Sequence, residues 1–172
     1  VTDVQQYRES GEPHWLSQAV EGIKVGMTLN PLDGRLPYRL GRLYLLLAEQ
    51  ASSGEQRTDL LDLAARSLAE AINADPFSPF NYVELAKIRW QQGQVEEANE
   101  LLTQAVHYEP NFLPARVVLA KLAMDSGQIE IARFQYEMIR ETQERYRGRT
   151  VTPLEIEYVD VNVNSPDQAI AQ

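Results

Sequence analysis

Apolar residues recur every three or four positions through most of this 172-residue chain, and the rhythm changes only near its end. Leu85 with Ile88 and Lys87 with Trp90 keep helical spacing, as do Ala98, Leu101, Leu102 and Ala105. From Leu154 the period drops to two. Leu154, Ile156 and Tyr158 alternate with Glu155 and Glu157, which is the pattern of an extended segment.

The helical pattern also repeats on a larger scale. Residues 79–112 and 113–146 are two 34-residue stretches that align without a gap. Leu85-Ala86 falls on Leu119-Ala120, Gly93-Gln94 on Gly127-Gln128, Ala98 on Ala132, and Leu102 on Tyr136. Each stretch reads as a first helix, a tight turn at the glycine, and a second helix. Ala86 and Ala98 are small enough for the two helices to approach closely, and Gly93 suits a left-handed helix end. Pro110 stops the second helix, and Ser78-Pro79 supplies an N-cap and a first helical position for the next one. The following stretch has Glu144 where the proline belongs, so its second helix is expected to run on towards Arg149.

The register extends upstream. Leu40, Gly41 and Tyr44 open a 45-residue unit over 34–78 that closes with Ala64, Leu68, Ala71 and Pro76. Its surplus sits at AEQASSGEQRTDLLD, where Ser52, Ser53 and Gly54 mark a loop between lengthened helices. Before it, residues 12–33 carry Ala19, Ile23 and Pro31 at second-helix positions, while 1–11 is a poor, short candidate for the missing first helix. An array that starts in mid-repeat, at Val1, reads as a piece of a longer or processed chain.

Period and spacing resemble the tetratricopeptide repeat. Tyr82, Leu85, Ala86, Gly93, Ala98, Leu102, Ala105 and Pro110 occupy that family's signature places. The fold class expected is all-α: an α-solenoid of antiparallel helix pairs, with three full repeats, a leading half repeat and an extended C-terminal tail. The organisation expected is an N-terminal segment 1–11, a repeat domain 12–149 and an acidic tail 150–172.

Charge and composition narrow the function. A net charge of -9 argues against nucleic-acid and anionic-membrane partners. No apolar run reaches the ~20 residues that span a bilayer, so direct membrane insertion is not expected. There is no cysteine, hence no thiolate chemistry. The two histidines, His14 and His107, lie far apart without metal-ligand spacing, and no G-x-S-x-G or phosphate-binding glycine pattern occurs. No catalytic residue, metal site or cofactor is predicted, and the chain is not expected to be an enzyme.

The resemblance implies that first helices line a concave surface. The family's groove positions would then hold Arg35 and Phe80; Tyr38, Val83 and Val117; Arg42, Lys87 and Lys121; and Leu45, Trp90 and Met124, while Pro114 breaks the first column. A basic line beside apolar ones suits an acidic, partly apolar protein segment, extended or helical. The asparagines of the family's carboxylate clamp are missing, so chaperone-tail recognition is not expected.

Two further readings stand beside this scaffold. The stretch from Trp15 through LNPLDGRLPYRLGRLYLLLAEQ, with TPLEIEYVDVN, is similar to the C-terminal repeat region of bacterial O-antigen ligase or polymerase-like membrane proteins. That resemblance implies a periplasmic accessory domain for glycan transfer; without it the expected location is cytoplasmic. The other reading is structural, with open helical ends stacking on another copy. Finally, the tail carries Glu155, Glu157, Asp160 and Asp167 and no base. It is expected to dock through Leu154, Ile156 and Tyr158 on repeat helices of its own chain or of another copy.

Overall fold

The structure is a computed structural model, and it describes residues 3–148. Eight helices follow one another: α1 Asp3–Ser10, α2 His14–Leu29, α3 Arg35–Glu49, α4 Gly54–Ala74, α5 Pro79–Gln91, α6 Val95–Tyr108, α7 Leu113–Asp125 and α8 Ile129–Tyr146. No strand occurs among the described residues. The all-helical architecture of paired helices is that of the α-solenoid class. The chain divides into two compact units, Val1–Pro76 and Phe77–Gln172.

Helix ends follow from local sterics. Asn30, Asp75 and Glu109 each precede a proline, and each ends its helix with φ between -135° and -138°. The proline ring disfavours helical backbone at the residue before it, so three second helices stop in the same way. The helix without a proline, α8, runs for 18 residues against 14 in α6. The turns inside each pair of the second unit use glycine instead. Gly93 and Gly127 take φ of +78° and +70°. The next amides, of Gln94 and Gln128, donate back to the carbonyls of Arg89 and Ala123 at 2.8 Å. This six-to-one bond closes a Schellman end, where glycine avoids the left-handed penalty of a side chain. Ser78 is extended and precedes Pro79 as expected, but its hydroxyl makes no capping bond.

In the first unit, α1 packs on α2, α2 on α3, and α3 on α4. Helix α1 falls in the segment that is a poor helix candidate by sequence, because none of its residues is buried and it has no clear apolar face. The surplus of the long repeat goes mostly into helix. α3 has 15 residues and α4 has 21. The loop between them is short, and Ser53 caps α4 by accepting from the Gln56 amide at 3.2 Å. Gln56 Oε1 in turn accepts from the Ser52 amide at 3.3 Å, a reciprocal arrangement close to a capping box.

The second unit stacks two helix pairs: α5 on α6, α7 on α8, and α7 against both α5 and α6. Its core is a file of small and large side chains. Ala86, Ala98, Ala105, Ala120 and Ala132 are fully buried beside Ile88, Leu102, Phe112 and Leu113. Tyr136 and Ile139 of α8 complete a cluster with Leu113, Ala120, Ala123 and Ala132.

Gly41 takes the alanine position in the first unit, and the reason is distance. A Cβ there would lie 2.7 Å from Leu68 Cγ and 3.1 Å from its Cδ2, and Leu68 is fully buried. Overpacking costs about 1–3 kcal/mol and outweighs the gain of about 1 kcal/mol from replacing a helical glycine. Gly41→Ala is therefore expected to destabilise the first unit by about 1 kcal/mol. Gly22, inside α2 with nothing within 4 Å, is the control: Gly22→Ala should stabilise by about 0.5–1 kcal/mol. Urea denaturation of the two variants checks the opposite signs.

Candidate functional site

The residues expected to line a groove fall on single faces of three first helices. In α3 they are Arg35, Tyr38, Arg42 and Leu45; in α5 Phe80, Val83, Lys87 and Trp90; in α7 Val117, Lys121 and Met124. Steps of three and four residues keep each set on one side of its helix.

In the first unit, two of the three arginines of α3, Arg35 and Arg42, are engaged. Arg35 binds Asp33 through Nε at 2.8 Å and Nη2 at 2.9 Å, and its amide donates to the same carboxylate at 3.1 Å. These bonds, the side-chain ones first, lower the Asp33 carboxyl from 3.8 to about 2. Arg42 donates from Nη1 to the Tyr38 hydroxyl at 3.1 Å, with its guanidinium carbon 6.0 Å from the ring centre. Tyr38 and Leu45 are half-buried.

In the second unit, the α5 face is largely committed to packing. Phe80 meets Phe112 edge to face, with ring centres 4.7 Å apart. Val83 is 2% exposed, so it is a core residue and offers no surface to a ligand. Its position places it under the neighbouring helix, where sequence spacing alone could not separate groove from core. Lys87 pairs with Glu84 at 2.8 Å, and Trp90 is half-buried. Arg89, which the repeat register does not single out, ties α5 to α6 through Glu97 at 2.8 Å and holds Gln92 at 2.9 Å.

On α7, Val117 and Met124 pack partly against the α7–α8 cluster. Lys121 between them is exposed and makes no ion pair or hydrogen bond among the described residues. It is the uncommitted cation of its column. Trp90, Lys87, Lys121 and Met124 thus sit on α5 and α7, two helices in contact. The tail residues Leu154, Ile156 and Tyr158 lie outside the described residues.

One polar pair escapes the sequence reading. Arg116 of α7 is 6% exposed; its Nε donates to the Pro110 carbonyl at 2.9 Å and its Nη1 to Gln135 Oε1 at 3.0 Å. Burial lowers the basicity of this guanidinium. A signal exists, since Arg116 stands 34 residues after Tyr82, where the preceding repeat is aromatic.

Among the described residues no group of three or more acidic, histidine or cysteine side chains is placed to hold a metal. No described helix is long and apolar enough to cross a membrane. Two open depressions lie elsewhere, 580 Å³ on α6 beside Glu97 and Gln104, and 560 Å³ on α8 beside Arg140 and Arg145.

Comparison with known proteins agrees with the fold. Residues 89–146 match a family model described as tetratricopeptide repeat. The chain is similar to a thermophilic TPR protein of Thermus thermophilus, at 21% identity over 84% of each chain, with a TM-score of 0.65. It is also similar to MamA, from residue 41 to the end, of Desulfovibrio magneticus RS-1: 18% identity, 84% of this chain, 82% of that one, TM-score 0.57. A third similar structure is the first TPR of Spaghetti (RPAP3) bound to the HSP90 peptide SRMEEVD: 19% identity, 72% of this chain, 86% of that one, TM-score 0.56. At such identities the likeness carries the fold alone. No curated protein matches the chain. These findings do not extend to the resemblance with O-antigen ligase-like proteins.

The Asp33–Arg35 pair gives a pH signature. Because the folded carboxyl titrates below its usual value, its contribution is present above about pH 4 and fades as pH falls towards 2. A carboxyl-carbon NMR titration should find Asp33 near 2, and Arg35→Gln should return it to the ordinary carboxylate range.

Proposed function

We propose that this chain, which folds as a tetratricopeptide-repeat protein, is a non-catalytic scaffold that binds an acidic, partly apolar segment of a protein partner along its first helices. In the second unit the ligand side is formed by Lys87 and Trp90 of α5 with Lys121 and Met124 of α7; the first unit carries a face of its own, with Arg35, Tyr38, Arg42 and Leu45 of α3. The observation that carries the reading is Lys121, an exposed, uncommitted cation flanked by the half-buried apolar side chains of Val117 and Met124 on a net acidic protein. A carboxylate arriving at Lys121 displaces only water, whereas at Lys87 it competes with Glu84 and at Arg35 with Asp33.

Binding of this kind has a definite energetic division. The lysines guide approach and register, and the affinity rests on the apolar side chains that the segment covers. The RPAP3 structure shows one protein of this fold holding an acidic peptide. The positions of the carboxylate clamp are different here, so the segment is expected to be internal rather than a free C-terminus.

Selection from a random peptide display library tests the reading. Peptides mixing Asp or Glu with apolar residues should be enriched, with affinity falling as salt rises. Lys121→Glu is expected to weaken the best binder about tenfold or more, a change of ~1.4 kcal/mol, and Lys87→Glu by less, because its charge is already shared. Enrichment of neutral or basic peptides, or acidic binders indifferent to Lys121→Glu, would overturn it.

A further inference from the structure

Helix α8 departs from α6 at three outward positions and from α4 at two of them. Ile131, Phe134 and Met138 stand where α6 has Glu97, Glu100 and Gln104, and where α4 has Leu63, Arg66 and Glu70. Their spacing of three and four puts them in one stripe. Ile131 is 48% and Phe134 54% exposed, and Met138 is half-buried. A second helix that needed only to be wetted on this side would carry charge, as α6 does.

Gln135 and Thr142 border the stripe on one side, and Glu137 and Glu141 on the other, as ~100° per residue requires. Gln135 leads directly to the buried guanidinium of Arg116. That guanidinium uses two donors, on a backbone carbonyl and an amide oxygen, and no carboxylate pairs with it among the described residues. A desolvated cation is costly unless an anion accompanies it. An uncompensated buried charge and an uncovered apolar stripe, adjacent on the same helix pair, ask for a ligand with acids and apolar side chains in alternation.

The chain contains such a segment. Twenty-four residues follow Gly148, and they include LEIEYVDV, residues 154–161, within the stretch 150–172, which has four acids and no base. Gly148 has φ of +75°, the left-handed conformation that turns a chain away from the helix it has just left. Reach is sufficient. Met138 lies eight residues back from Tyr146, the last residue of α8, about 12 Å along the helix, and six extended residues from Gly148 to Leu154 span up to ~20 Å.

We propose that Arg116 and the Ile131–Phe134–Met138 stripe form a docking site for this chain's own segment 152–161. A carboxylate of Glu155 or Glu157 neutralises the guanidinium, and the apolar residues flanking it, Leu154, Ile156 and Tyr158, cover the stripe. Glu137 and Glu141 repel acids on the far side and so set the orientation. This surface is distinct from the Lys121 face, and the two proposals stand or fall separately.

The test uses the full chain, a chain ending at Gly148, and a fluorescein-labelled peptide of residues 150–164 read by anisotropy. The shortened chain should bind the peptide, and the full chain at least tenfold more weakly because its own segment already occupies the site. Phe134→Glu and Arg116→Met in the shortened chain should each reduce binding at least tenfold, and Lys121→Glu should reduce it by much less than either. Should Arg116→Met fail to fold, a peptide carrying Glu155→Gln and Glu157→Gln measures the same contact from the ligand side and should lose affinity equally. Failure of the shortened chain to bind at millimolar peptide overturns the site. So does equal binding by full and shortened chains, and so does binding lost with Lys121→Glu but not with Phe134→Glu, which would place the segment on the first helices instead.

Discussion

Everything in this molecule depends on how closely two antiparallel helices can approach within a pair. The contact is made by residues with little or no side chain: Gly41 beneath Leu68 in the first unit, and Ala86, Ala98, Ala120 and Ala132 in the second. Close approach lets the larger neighbours, Leu68, Leu102, Tyr136 and Ile139, interlock without voids. The positions of the outward-facing cations follow from it, because Arg42, Lys87 and Lys121 each follow a small residue by one place on the same helix. The packing constraint therefore sets the positions of these cations as well.

Electrostatics then separates cations that look equivalent in the repeat alignment. Arg42 lies on Tyr38 and Lys87 is held by Glu84, whereas Lys121 is uncommitted. Exposed pairs of this kind contribute little stability, about 0–1 kcal/mol each. Their effect is to leave like charges at one repeat position compensated to different degrees, Lys121 least of all.

Much of the fold was legible because its determinants are local. A glycine 34 residues from its counterpart, a proline after each of three second helices and small residues at fixed offsets all act within a few positions of themselves, so spacing alone reveals them. The site was less legible, because it depends on which neighbour covers a side chain. Val83 and Val117 occupy the same repeat position, yet Val83 is buried and Val117 only partly so. Arg116 shows the reverse: a charged residue at the repeat position of buried Tyr82, it is itself buried, with the Pro110 carbonyl and Gln135 as its partners. Helix α1 was missed because it buries no side chain, leaving periodicity nothing to detect.

The packing of each helix on its sequence neighbours has a kinetic counterpart. Apart from α5 with α7, the main helix contacts within each unit join consecutive helices, so loop closure during folding spans only a pair or so of elements. Chains of such low contact order fold in microseconds to milliseconds, and their opening is graded rather than all-or-none. α1, with no buried residue, would exchange its amide hydrogens first, while the α5–α6–α7 contacts would be the last to release theirs.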